Sequence, residues 1–183
     1  MQLSIKNMVC DRCIAAVDRL LKEEGLHPVE VRLGEAKITE DVIDKDRLQR
    51  TLKAAGFALL DDRKSRLVER IKNTIVRLVH HTGEPPREKY SQLIAEDAGH
   101  EYPYLSKLFS ESEGTTIEQF LLRQKIEKVK EYLNYDELTL SEIAEKMGYS
   151  SVAHLSAQFR KVTGQTPTEY KTQKGRTPLD QVG

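Results

Sequence analysis

The chain has 183 residues, 29 Lys+Arg against 29 Asp+Glu, and a hydrophobic fraction of 38%. That length holds one large domain or two small ones, the composition argues against disorder, and no apolar run approaches the roughly 18 residues of a membrane span. Two cysteines, Cys10 and Cys13, cannot frame a disulfide-stapled secreted fold, and zero net charge counts against a nucleic-acid binder unless the charge is clustered. Residues 1–6 lack the basic region and apolar core of a secretory leader, which gives the expectation of a cytoplasmic protein. In chain order, residues 2–8 alternate apolar with polar and predict a strand. Ile14, Val17, Leu20 and Leu21 form a helical stripe closed by Gly25. Val29, Val31 and Leu33, a turn at Gly34-Glu35, then Ala36 and Ile38 read as a hairpin. Leu48, Leu52 and Ala55 mark a second helix ending at Gly56, and residues 57–60 a last short strand. The order is βαββαβ in about 60 residues, a two-layer α/β sandwich.

Residues 61–82 read as a separate helix, with Leu67, Ile71, Ile75, Leu78 and Val79 on one stripe and a stop before Pro85-Pro86. From Glu88 onward the pattern is helical and repeats itself. Ile94-Ala95-Glu96 recurs 49 residues later as Ile143-Ala144-Glu145, and the offset then becomes 50: Leu105-Ser106 with Leu155-Ser156, Phe109 with Phe159, Gly114 with Gly164, Thr116 with Thr166, Phe120 with Tyr170. In the second copy Thr139 and Glu142 make a capping box, Ile143, Ala144 and Met147 face inward, Gly148 turns the chain, and a helix with Leu155 and Phe159 follows. Gly99 takes the turn position in the first copy. Each copy is thus a helix-turn-helix unit, and the stripe Ile126, Val129, Leu133 predicts a helix between them.

The segment 88–174 resembles the AraC/XylS family of bacterial transcription activators. The resemblance rests on residues 140–151, Phe159-Arg160-Lys161, Gly164, Thr166-Pro167 and Tyr170. Lys125-Ile126 stands where the family usually has Arg-Leu. The resemblance implies double-stranded DNA as partner, with the second helix of each unit in successive major-groove segments. Carried over, the base-facing residues are Pro103, Ser106 and Lys107 with Tyr104 beside them, and Val152, Ala153, Ser156 and Ala157 with His154 beside them. Lys107 can reach guanine acceptors; Val152 and Ala153 read equally well as helix-surface filler. Residues 83–183 hold 13 basic and 16 acidic side chains, so phosphate contact must come from clusters: Arg123, Lys125, Arg160, Lys161 and Lys171, with Lys174 and Arg176 beyond. The resemblance also implies RNA polymerase as a possible partner.

Cys10 and Cys13 flank the start of the first helix, where free N–H groups and the helix dipole favour thiolate. Two thiolates suit Cu(I) or another soft ion, whereas structural zinc needs two further ligands. His80-His81 are candidates for those, or simply exposed residues at a helix end. The order βαββαβ with Met8, Cys10 and Cys13 resembles the heavy-metal-associated domains of copper chaperones and metal-pumping ATPases, which implies a ferredoxin-like fold for residues 1–60. Phe57 also matches that family. The family motif begins Gly-Met-Thr, and here it reads Asn7-Met8-Val9. A redox dithiol and a domain used only for interaction remain the alternatives.

These readings combine as α/β plus all-α: residues 1–60 a heavy-metal-associated-like domain, 61–86 a linker helix, 87–174 an AraC-type DNA-binding domain and 175–183 a flexible tail. The linker stripe over 63–81 is either a homodimer seam or a packing face. The expected function is a transcription regulator responsive to a soft metal ion at Cys10 and Cys13. The rivals are a metal-independent regulator whose first domain binds a partner or other ligand, and a metal-transfer or thiol-redox protein. No catalytic constellation is visible, so no enzyme activity is expected.

Overall fold

The computed structural model describes residues 1–174, so the expected tail 175–183 and Arg176 lie outside the described residues. Contacts divide the chain into two compact units. The first comprises Met1–Thr74 and Ser91–Ser112; the second comprises Ile75–Tyr90 and the described residues from Glu113 onward.

The first unit opens with β1 (Gln2–Lys6), α1 (Asp11–Glu23), β2 (Pro28–Arg32), β3 (Glu35–Ile38), α2 (Lys45–Ala54) and β4 (Ala58–Leu60). The four strands form one antiparallel sheet in the order β2-β3-β1-β4. Alternation decides the faces. Leu3 and Ile5 of β1 and Ala36 and Ile38 of β3 are buried together with Val17 and Leu21 of α1 and Leu48 and Leu52 of α2, while Gln2 and Ser4 point the other way. Asp44 caps α2, its carboxylate accepting from the Arg47 N–H at 2.9 Å.

The linker stripe becomes α3 (Arg63–Val76), continued by a π-helical turn over Arg77–His81. The division between the units falls inside α3, after Thr74. In the first unit α3 is tied to the sheet domain at two places. Buried Glu69 accepts from the Asn7 N–H at 3.0 Å. Gly34, at φ +79°, lies so close to α3 that a Cβ there would sit 1.8 Å from Asn73 Nδ2. Farther along, Thr74 Oγ1 donates to Asp97 Oδ2 at 2.6 Å and Arg70 pairs with the same carboxylate at 3.4 Å, which joins α3 to the helix containing Asp97. Leu67, Ile71, Ile75 and Val79 are all buried within the chain itself. A homodimer seam along 63–81 therefore lacks the exposed apolar stripe it needs.

The remaining helices are α4 (Tyr90–Ala98), α5 (Tyr102–Glu113), α6 (Ile117–Tyr135), α7 (Leu140–Lys146), α8 (Val152–Thr163) and α9 (Pro167–Lys174). In the second unit α6 buries Ile126, Val129 and Leu133 along the expected stripe and packs against α8 and α9. It ends at Asp136 in the left-handed conformation, φ 56°. No helix among the described residues is long and apolar enough to cross a membrane.

Candidate nucleic-acid interface and thiol site

The two helix-turn-helix units are built from matching parts. In the first, α4 ends at Gly99 (φ 66°); in the second, α7 ends ahead of Gly148 (φ 68°). Both turns need the left-handed region, which costs a side chain with a Cβ about 1–2 kcal/mol. Two residues, His100 and Glu101, then lead into α5, whereas three, Tyr149 to Ser151, lead into α8. The extra residue in the second turn is why the repeat offset steps from 49 to 50. Beyond the turn, Leu105 and Phe109 in α5 and Leu155 and Phe159 in α8 all have zero exposure. Gly114 (φ 64°) and Gly164 (φ 81°) release the chain, and a threonine starts a further helix each time. Thr116 Oγ1 accepts from the Gln119 N–H and Thr166 Oγ1 from the Glu169 N–H, both at 3.2 Å. The repeated unit therefore extends into a third helix. Ahead of α7, Thr139 Oγ1 accepts from the Glu142 N–H at 3.3 Å and Glu142 Oε2 accepts from the Thr139 N–H at 2.7 Å, the expected capping box. The Thr139 hydroxyl, which donates to the same Oε2 at 2.7 Å, and then the Thr139 N–H hold the Glu142 carboxyl below its usual pKa.

With leucine and phenylalanine turned inward, the opposite faces of α5 and α8 are what remain for a ligand. On α5, Pro103, Tyr104 and Lys107 are exposed and Ser106 is half-buried. Lys107 lies 3.9 Å from Glu111 one turn on, an exposed pair that restrains it little. On α8, Ala153, His154 and Ala157 are exposed and Val152 and Ser156 are half-buried. Ser151 caps α8, accepting from the His154 N–H at 3.0 Å.

One feature of this surface escaped the sequence reading. Each unit holds a histidine–tyrosine pair bridging the turn and the second helix: His100 on Tyr104 and Tyr149 on His154, both at 5.3 Å between ring centroids. The residue after the turn glycine and the third residue of the following helix have exchanged identities between the copies. Comparing the copies for swapped residues, not only identical ones, would have found it. His154 Nδ1 is also 3.1 Å from Ser150 Oγ, so its ring is fixed from two sides.

The basic residues expected at phosphates meet different fates. Arg123, Arg160 and Lys161 are exposed. Lys171 is ion-paired with Asp136. Lys125 is turned inward: its Nζ stands 4.5 Å from the Tyr149 ring centroid and 5.8 Å from that of Tyr90. Burial lowers its pKa and raises that of Tyr149 to about 12. Lys128 and Lys130 pair with Glu131 and Glu127 along α6.

Cys10 is the N-cap residue of α1 in extended conformation, and Cys13 lies in the first turn. Their sulfurs are 3.4 Å apart and both residues are partly exposed. The Cys13 backbone N–H, then the Cys13 side chain, lower the Cys10 thiol pKa from its usual 9.0. Met8 is fully buried beneath the loop and Val9 exposed. Asn7, at φ 73°, occupies a conformation that glycine adopts freely. Its side chain donates to the Gly56 carbonyl at 2.9 Å, which compensates for the strain. No group of three or more His, Cys, Asp or Glu among the described residues is arranged to hold a metal. Of the two histidines considered as extra ligands, His80 is hydrogen-bonded to Gln124 at 3.0 Å.

Residues 94–173 match the family model of a helix-turn-helix domain. An uncharacterized HTH-type transcriptional regulator of Staphylococcus aureus (strain MSSA476) is 37% identical over 78 residues, 43% of this chain but 10% of that protein. The chain thus spans a small part of such relatives. Among solved structures, the C-terminal domain of AraT, a response regulator from Geobacillus stearothermophilus, shares 26% identity with a TM-score of 0.52, over 67% of this chain and 95% of that one. A transcriptional regulator of Chromobacterium violaceum, described as containing an AraC-type DNA-binding domain, shares the fold at 23% identity and a TM-score of 0.51, over 59% of this chain and 95% of that one. Residues 94–173 thus form a helix-turn-helix domain, and they share its fold with these solved structures. The proteins similar to this chain are regulators, not enzymes.

Proposed function

We propose that the chain is a cytoplasmic AraC-type transcription regulator whose first domain binds a soft metal ion. The observation that carries the regulator reading is the duplicated unit, with turn glycine, inward Leu-Phe pair and threonine cap repeated in α4–α6 and α7–α9. Neither second helix offers its outward face to a neighbour that fills it, since Tyr104, Lys107, Ala153, His154 and Ala157 are exposed. α5 and α8 read major-groove edges, Lys107 and His154 supplying hydrogen bonds and Ala153 and Ala157 meeting thymine methyls. Arg123, Arg160 and Lys161 supply phosphate contact. Contact with RNA polymerase rests on the family resemblance alone.

For the first domain, the strand order β2-β3-β1-β4 with both helices on one face supports a ferredoxin-like fold of the heavy-metal-associated kind. Cys10 and Cys13 would hold the ion. Two adjacent sulfurs, with no third ligand grouped beside them among the described residues, fit Cu(I), which accepts two soft ligands, and not a closed zinc site. Burial of Met8 and the Asn7–Gly56 bond support the loop that carries the two cysteines.

The test is anaerobic titration with Cu(I) and Zn(II) followed by duplex-DNA binding on the same samples. One Cu(I) per chain, lost in Cys10→Ser/Cys13→Ser, together with a metal-dependent change in DNA affinity supports the whole reading. Equal DNA affinity with and without Cu(I) removes the metal response and leaves the regulator. No DNA binding in any state removes the regulator.

A further inference from the structure

On the sheet face opposite α1 and α2, the first unit contains an open cavity of about 340 Å³. All its lining residues belong to that unit. Four come from α3, Leu67 and three arginines: Arg63, Arg66 and Arg70, spaced by three and four residues and therefore on one helix face. Ser4 and Gln2 of β1 and His100 of the first helix-turn-helix turn complete the polar wall. Leu67 and Ala98 are the apolar contributions, and no aromatic ring other than the imidazole lines it.

The charges are unbalanced. Among the lining residues three guanidiniums face one carboxylate, Glu35, and that group already accepts from Gln2 Nε2 at 2.9 Å. Arg70 is held by Asp97 at 3.4 Å and so is oriented. Arg63 and Arg66 are exposed along the cavity rim. A guanidinium is a planar fork of donors suited to phosphoryl and carboxylate oxygens. The volume is at the small end of ligand sites, about 300–1,000 Å³. It admits a compact polyanion and is too small for a nucleotide with its base buried.

We propose that this cavity binds a small polyanion, phosphoryl or polycarboxylate, through Arg63, Arg66 and Arg70 with His100 and Ser4 as further hydrogen-bonding groups. The inference is independent of DNA binding and of the thiol site. His100 directly follows Gly99 and stacks on Tyr104, so a ligand here would sit beside the outward face of α5.

The experiment is calorimetric titration of the full chain with pyrophosphate and, separately, with citrate at constant ionic strength. Saturable one-to-one binding is expected for at least one of them, and which one decides between phosphoryl and polycarboxylate ligands. Arg63→Gln and Arg66→Gln should each weaken it about tenfold or more, with unchanged thermal melts showing an intact fold. Arg19→Gln, an exposed position on α1 across the sheet from the cavity, should change nothing. Absence of saturable binding to both probes overturns the proposal. So does equal weakening by Arg19→Gln, or undiminished binding in both cavity variants. Loss of duplex affinity in those variants without loss of anion binding would assign the face to DNA and also overturn it.

Discussion

Replacing the two turn glycines by alanine should have unequal effects, and the inequality can be worked out in advance. Gly99 and Gly148 have nearly the same φ, 66° and 68°. An alanine at either must adopt the left-handed region at about 1–2 kcal/mol, offset by about 0.4–1 kcal/mol from a less flexible unfolded chain, so the backbone cost is about 1 kcal/mol. A Cβ at Gly99 meets nothing within 4 Å. At Gly148 it would lie 3.2 Å from Pro85 Cβ and 3.5 Å from Pro85 Cγ. Pro85 is followed by Pro86, and neither ring can yield by changing rotamer. Overpacking of this kind adds about 1 kcal/mol or more. Gly99→Ala should therefore cost about 1 kcal/mol and Gly148→Ala about 2, read as midpoint shifts in urea denaturation followed by circular dichroism. Gly99→Asn should recover part of the loss, because asparagine tolerates this region. Equal costs at the two glycines would refute the packing argument. A neutral Gly99→Ala would refute the backbone argument as well.

Lys125→Met should leave the slope of log DNA affinity against log salt unchanged, because the ammonium faces tyrosine rings; Lys161→Ala should reduce that slope by about one. In a Cys13→Ser chain, the rate of Cys10 alkylation by iodoacetamide plotted against pH should have its midpoint below 9.0, since the backbone N–H of residue 13 remains in place. A midpoint at or above that value would remove the helix-start argument. The Glu142 carboxyl is depressed in the folded chain, so its contribution to stability is present above about pH 4.5 and fades as pH falls through the lower folded value. Thr139→Ala should flatten this part of the acid-denaturation profile, as measured by circular dichroism between pH 5 and about pH 2.

Much of this was legible because local chemistry determines it. The capping box at Thr139 and Glu142 depends on three residues of separation, and the β2–β3 hairpin on alternation around Gly34. The duplication was legible because Leu105 and Leu155, Phe109 and Phe159 occupy equivalent buried positions, where shape permits few substitutes. Side-chain destinations across the tertiary fold were not legible. Lys125 reads as one more surface cation until α6 places it against Tyr149, and Lys171 does so until Asp136 meets it. Likewise Arg63, Arg66 and Arg70 read only as the polar side of a striped helix until β1 supplies the opposite wall.

The Asn7–Glu69, Gly34–Asn73 and Thr74–Asp97 contacts have a practical consequence for anyone exchanging parts between regulators. A graft joined at residue 61 would follow the boundary suggested by composition, yet it would sever the first two contacts and strip the underside of the sheet. A donor segment carried through residue 112 would keep them and the cysteine loop's tether to α3. It would also bring the first helix-turn-helix unit along with the thiols. The cysteine loop and α5 thus belong to one compact unit, threaded by residues 75–90 of the other, and a hybrid that takes one without the other starts with a wound to close.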